Sequence, residues 1–189
     1  VGQALAEGAL PRARMQVLSI LLKLRQVCCH PKLFLPDYEG TSGKLELLVQ
    51  IVHNAIATKR RMLIFSQFVG MLQMIRRRLG REGIQTLYLD GETRPDKRQE
   101  LCDRFNGGEG RVFLISLKAG GTGLNLTGAD LVIHYDPWWN PAAEDQATDR
   151  AHRIGQTHDV DVVKLIAQGT IEEKVTDLSK RKRAVFDRV

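Results

Sequence analysis

Three short apolar runs, Met62-Leu63-Ile64-Phe65, Val112-Phe113-Leu114-Ile115-Ser116 and Leu131-Val132-Ile133-His134-Tyr135, constrain this chain more than any other feature. Each reads as a short apolar strand. The stretches around them have helical spacing: residues 44–57, 70–81, 95–105, 142–153 and 171–186 read as helices. Residues 85–89 and 160–166 read as two further strands. A helical pattern over 12–27, carried by Val17, Leu18, Leu21, Leu22 and Leu24, comes first, and residues 36–43 form a connector rich in turn formers. Apolar strands alternating with helices predict an α/β fold, a parallel sheet with helices on both faces. Ligands of such sheets collect beyond the carboxyl ends of the strands. The segments after Phe65 and Ser116, and Trp138-Trp139, should therefore share one edge.

At 189 residues the chain can bury the core of one domain, and 43% hydrophobic with 26% charged residues is ordinary for a globular protein. Three cysteines, two of them adjacent, make no disulfide framework and point to a reducing compartment. The net charge of +6 is compatible with an anionic partner. No apolar stretch reaches the length of a membrane span and no signal-peptide pattern is present, so no membrane partner is expected.

Asn140-Pro141 reads as an N-cap followed by proline at the first helical position. On the helix it starts, Gln146, Arg150 and Arg153 fall at i, i+4 and i+7 and share a face. Two guanidiniums and an amide aimed together suit a phosphate. The competing reading is a solvated basic face paired with Asp145 and Asp149. Gly120, Gly121 and Gly123 follow a strand and allow close backbone approach to a ligand, though Leu126 breaks the dinucleotide pattern. Gly40-Thr41-Ser42-Gly43-Lys44 is no phosphate loop, because Leu45 stands where Ser or Thr is needed. No Asp-Glu pair follows a strand to hold magnesium, so the chain reads as half of an ATPase. Cys28-Cys29-His30 is poorly spaced for a tetrahedral metal site and is expected to pack structurally.

The run Gln146-Ala147-Thr148-Asp149-Arg150-Ala151-His152-Arg153-Ile154-Gly155-Gln156 resembles the last helicase motif of the Swi/Snf-type ATPases, a branch of helicase superfamily two. Other segments agree in order. Leu24-Arg25-Gln26-Val27-Cys28-Cys29-His30-Pro31 is similar to the lead-in to the second lobe, and Ser42-Gly43-Lys44-Leu45 to its start. Met62-Leu63-Ile64-Phe65-Ser66-Gln67-Phe68 resembles motif IV, and Asp90-Gly91-Glu92-Thr93, Arg98 and Phe105-Asn106 follow it. The stretch from Ser116 to Leu126 resembles motif V, and Asp136-Pro137-Trp138-Trp139-Asn140-Pro141 and Gly169-Thr170-Ile171-Glu172-Glu173-Lys174 complete the set.

The resemblance implies a RecA-like second helicase lobe, of the P-loop NTPase fold but lacking the P-loop, over residues 43–189, with an inter-lobe linker and helical segment over 1–42. It implies that Arg150 and Arg153 are arginine fingers, with Gln146, Gly121 and Gly123 at the nucleotide. It puts Ser66, Gln67, Thr93, Arg98, Lys118 and Trp139 at DNA and leaves Trp138 to packing. ATP and Mg2+ would be bound mainly by the absent N-terminal RecA-like lobe. The partners implied are that lobe, duplex DNA and a DNA-bound protein that is remodelled as the enzyme translocates. The location implied is intracellular: cytoplasm or nucleoid in a prokaryote, nucleus in a eukaryote. The isolated fragment is expected to be inactive. The alternatives are a lobe of a strand-separating superfamily-two helicase and a non-catalytic DNA- or protein-binding module.

Overall fold

Alternation along the central strand divides the core in two. In β1 (Met62–Ser66) every residue is buried. Met62 and Ile64 join one apolar cluster, while Leu63 and Phe65 join the other. A strand rich in apolar residues at both parities needs cover on both faces, which a parallel sheet receives from its crossover helices. The structure, a computed structural model, describes residues 2–119, 123–151 and 159–186.

The described elements run α1 (Gly2–Cys29), α2 (Gly43–Ala57), β1, α3 (Val69–Arg81), β2 (Thr86–Leu89), α4 (Pro95–Asn106), β3 (Val112–Ser116), β4 (Leu131–His134), α5 (Pro141–Thr148), β5 (Asp161–Lys164) and α6 (Ile171–Phe186). The five strands form one sheet in the order β2-β3-β1-β4-β5, and every pairing is parallel. Leu48 and Val52 of α2 and Met71, Leu72 and Ile75 of α3 cover one face. Leu101, Cys102 and Phe105 of α4 and Ala147 of α5 cover the other. The expected sheet with helices on both faces is the fold observed.

Two expectations differ from the structure. α1 begins ten residues earlier than the expected start at residue 12 and runs through Pro11. α5 stops at Thr148 instead of continuing to Arg153. Past its end, Arg150 N–H reaches the Ala147 carbonyl at 3.3 Å and Ala151 N–H reaches that of Thr148 at 3.0 Å. These bonds span three residues, so the chain tightens out of α-helical winding. The Arg150 carbonyl accepts instead from Leu126 N–H at 2.9 Å, in the loop that precedes β4.

Candidate functional site

Phe65 and His134 are register partners near the ends of β1 and β4, so the residues that follow them meet at the carboxyl edge of the sheet. Asp136, 1% exposed, accepts the Ser66 hydroxyl at 2.5 Å and the Gln67 backbone N–H at 3.4 Å. Ser66 Oγ accepts in turn from Phe68 N–H at 3.1 Å. Arg25, near the end of α1 and 2% exposed, donates to the Pro137 carbonyl at 2.5 Å and lies 3.9 Å from Asp136 Oδ2. Its guanidinium carbon stands 5.1 Å from the Trp139 ring centre and 5.9 Å from that of Phe68, within cation–π range. Burial pushes the Asp136 carboxyl up to about 6, against the pull of the Ser66 hydrogen bond and Arg25. The side-chain nitrogen of Gln67 is buried and has no hydrogen-bond partner among the described residues. Trp138 packs against the α4–α5 core cluster, while Trp139 is part-buried under Arg25.

After β2, the Asp90 carboxylate organises a turn. It accepts Glu92 N–H at 3.0 Å and the Thr93 hydroxyl at 3.2 Å, and Thr93 Oγ1 accepts Asp90 N–H at 3.1 Å. Arg98 of α4 donates to the Thr93 carbonyl at 2.7 Å and to that of Gly91 at 3.1 Å. Thr93 and Arg98 therefore spend these donors within their own loop. After β3, Lys118 is exposed. Gly123 has φ +53°, a left-handed conformation that suits glycine. The loop is anchored by Asn106, which donates to the Asn125 carbonyl at 2.9 Å and accepts Gly128 N–H at 3.0 Å. A Cβ on Gly128 would come within 3.1 Å of the Asn106 Cα, a tight contact that glycine avoids. Gly121 lies outside the described residues.

After β4, the Asn140 side chain caps α5 by accepting Ala142 N–H at 3.2 Å, as its sequence signature predicts. Glu144, buried on α5, accepts Trp138 N–H at 2.8 Å and pairs with Lys164 of β5. Gln146 is exposed on α5. Arg150 is 3% exposed and sits in the turn beyond the helix, so the expected continuous helical face from Gln146 to Arg150 is not what the structure shows. Arg153 lies outside the described residues. His134 is fully buried, with Nε2 3.1 Å from Thr148 Oγ1 and its ring stacked on Phe65 at 5.7 Å, and burial lowers its pKa to about 4.

Sequence reasoning quoted Arg25, Asp136 and Glu172 inside motifs and gave them no role. Glu172 is 0% exposed, pairs with the Lys44 ammonium and accepts Ala167 N–H at 2.7 Å, tying α6 to the start of α2. Lys44 also donates to the Leu165 carbonyl at 3.3 Å. Ser42 and Tyr135 both donate to the Cys29 carbonyl, at 3.1 and 2.9 Å. No local pattern marks these charges as buried, because the partners that permit their burial lie far along the chain. Cys29 packs in the core and His30 caps the short turn at Pro31–Leu33 by accepting Lys32 N–H. Among the described residues no group of three His, Cys, Asp or Glu side chains is placed to hold a metal ion.

Comparison with known proteins supplies the context. The family described as helicase conserved C-terminal domain matches residues 43–155. The chain is similar to the putative ATP-dependent helicase/translocase YwqA of Bacillus subtilis, 44% identical over 179 residues, covering 92% of this chain and 19% of that protein. It is also similar to the mouse SWI/SNF-related matrix-associated actin-dependent regulator of chromatin subfamily A member 1, 38% identical over 182 residues, covering 89% and 17%. The Sulfolobus solfataricus SWI2/SNF2 ATPase core in complex with dsDNA superimposes with a TM-score of 0.76 at 39% identity, over 90% of this chain and 36% of that one. The chain thus spans less than a fifth of the length of these curated relatives.

Proposed function

This chain belongs to the Swi/Snf family of ATP-dependent helicases as their C-terminal RecA-like lobe, and from that premise we propose that it grips duplex DNA and completes the ATP site of a DNA translocase. The observation that carries this reading is convergence: Gln67 after β1, Lys118 after β3 and Trp139 after β4 all leave the carboxyl edge of one parallel sheet, the edge at which such sheets bind ligands.

Lys118 and Gln67 contact phosphates without reading sequence, and Trp139 lies against the sugar-phosphate backbone. Ser66, Thr93 and Arg98 act at the DNA through the loops they hold, because their polar atoms bond inward. Residues 1–42 are the inter-lobe linker and 43–189 the lobe. A first RecA-like lobe elsewhere in the whole protein binds ATP and magnesium. When the lobes close, Gln146, Gly121 and Gly123 line the nucleotide, and Arg150 and Arg153 approach the γ-phosphate. Arg150 is buried in the lone lobe, so it must turn outward during closure. Coupling the fingers to closure links hydrolysis to lobe motion, and a delivered arginine finger contributes about 10³–10⁵ in rate. The whole protein works inside the cell on a protein bound to DNA. No described helix is long and apolar enough to cross a membrane.

The test uses the full-length parent protein with triplex substrates. Duplex-stimulated ATPase together with displacement of a third strand, the duplex remaining paired, is the expected result. Separation of the duplex would identify a strand-separating helicase instead, and binding without any ATP turnover would identify a non-catalytic binding module. Lys118→Ala should raise the DNA concentration for half-maximal stimulation and flatten its salt dependence by about one counterion.

A further inference from the structure

Arg25 and Asp136 form a buried ionic joint that the DNA and nucleotide roles above do not use. One member sits near the last turn of α1, the other just past β4. Along α1, residues 13–20 are all exposed, and Leu21 is the first side chain after them that is not. The stretch 13–20 therefore stands away from the lobe, and the C-terminal end of the helix is the root that holds it. At that root Arg25 makes its hydrogen bond to Pro137 and stacks against Trp139 and Phe68. Asp136 extends the joint to Ser66 Oγ and Gln67 N–H. The joint thus touches both segments that carry the proposed DNA contacts at Gln67 and Trp139. Replacing a buried ion pair by apolar residues is often neutral or stabilising, so stability alone does not account for it. A planar guanidinium bonded to a carbonyl and stacked on an indole fixes direction, which an apolar filler does not.

We propose that Arg25 is a positioning residue: it sets Trp139 and the Gln67 segment for DNA, so that the orientation of α1 controls how tightly this lobe holds the duplex. The proposal rests on the DNA reading of that edge. Rotation of α1 shifts the guanidinium, and with it the Trp139 ring and the Pro137 carbonyl. Asp136 carries the same shift to the Gln67 backbone. A partner or lobe movement that turns α1 would then change the grip on DNA without touching it.

The test measures, in the full-length parent protein, the duplex-DNA concentration for half-maximal ATPase and the turnover at saturating DNA. The variants are Arg25→Met with Asp136→Asn, Trp139→Ala, and all three together; removing both charges at once avoids leaving a lone buried carboxylate. The paired variant is expected to raise the half-saturating concentration about tenfold, the scale of a desolvated cation–π contact, with saturated turnover kept within about twofold. The triple variant should bind DNA no more weakly than Trp139→Ala alone, because the joint acts through that ring. Arg25→Lys keeps the buried charge and should give the same split at smaller size, which covers any failure of the paired variant to fold. Independent, multiplying effects of the joint and Trp139 would overturn the proposal. So would wild-type half-saturation in the Arg25 variants while Trp139→Ala is impaired, a result that spares the DNA reading. Wild-type half-saturation in Trp139→Ala would overturn the DNA reading and the proposal together.

Discussion

Asp136 and His134 lie two residues apart at the end of β4, and burial moves their proton affinities in opposite directions. The Asp136 carboxyl rises from an ordinary value of 3.8 to about 6, so the native state binds its proton more readily than the unfolded chain. Its contribution to stability is full below pH 4 and is lost as pH rises to 6. His134 falls from 6.5 to about 4, so the native state favours the neutral ring. Its contribution is full above pH 6.5 and is lost as pH falls toward 4. Between pH 4 and 6 the two slopes oppose each other and largely cancel. Melting temperatures across that window should therefore separate the variants: Asp136→Asn makes stability climb more steeply with pH than in the wild type, and His134→Gln makes it decline. Identical pH profiles for wild type and variants would contradict the assignment of these two groups.

Strand position decides what a substitution costs at the scale of the element. β1 is central and Ile64 is 0% exposed, so Ile64→Ala removes packing from the α2–α3 side of the sheet and should cost about 2–5 kcal/mol in denaturant unfolding. β5 is an edge strand with Val162 42% exposed, and Val162→Ala should cost under about 1 kcal/mol. Asn140→Ala removes the cap of α5 and should cost about 1 kcal/mol. A larger loss at Val162 than at Ile64 would contradict the sheet order. The same distinction explains what was legible in the sequence. β1, β3 and β4 announced themselves because burial on both faces forces a continuous apolar run. The end of α5 was not legible, because the bond from Leu126 N–H to the Arg150 carbonyl comes from a distant loop. Nor was the Arg25 joint, whose bond to Pro137 spans 112 residues and leaves no local pattern. Motif order located the edge where Gln67, Lys118 and Trp139 gather, while the inward bonding of Ser66, Thr93 and Arg98 emerged only from the folded loops.

Across the whole molecule, this lobe carries candidate finger and DNA residues but matches none of the phosphate-loop pattern needed to cradle ATP. The 189-residue chain alone is therefore expected to show no ATPase activity with duplex DNA, and measurable turnover would reveal a nucleotide site within it. In the full-length protein the fingers should matter far more than any surface arginine. The most direct test is duplex-DNA-stimulated ATPase of the full-length parent, wild type against Arg150→Ala and Arg153→Ala. The account predicts loss of turnover by roughly 10³-fold or more, with nucleotide and DNA binding largely retained. Unchanged turnover would mean that these arginines are not fingers, and the proposed completion of the ATP site by this lobe would fall.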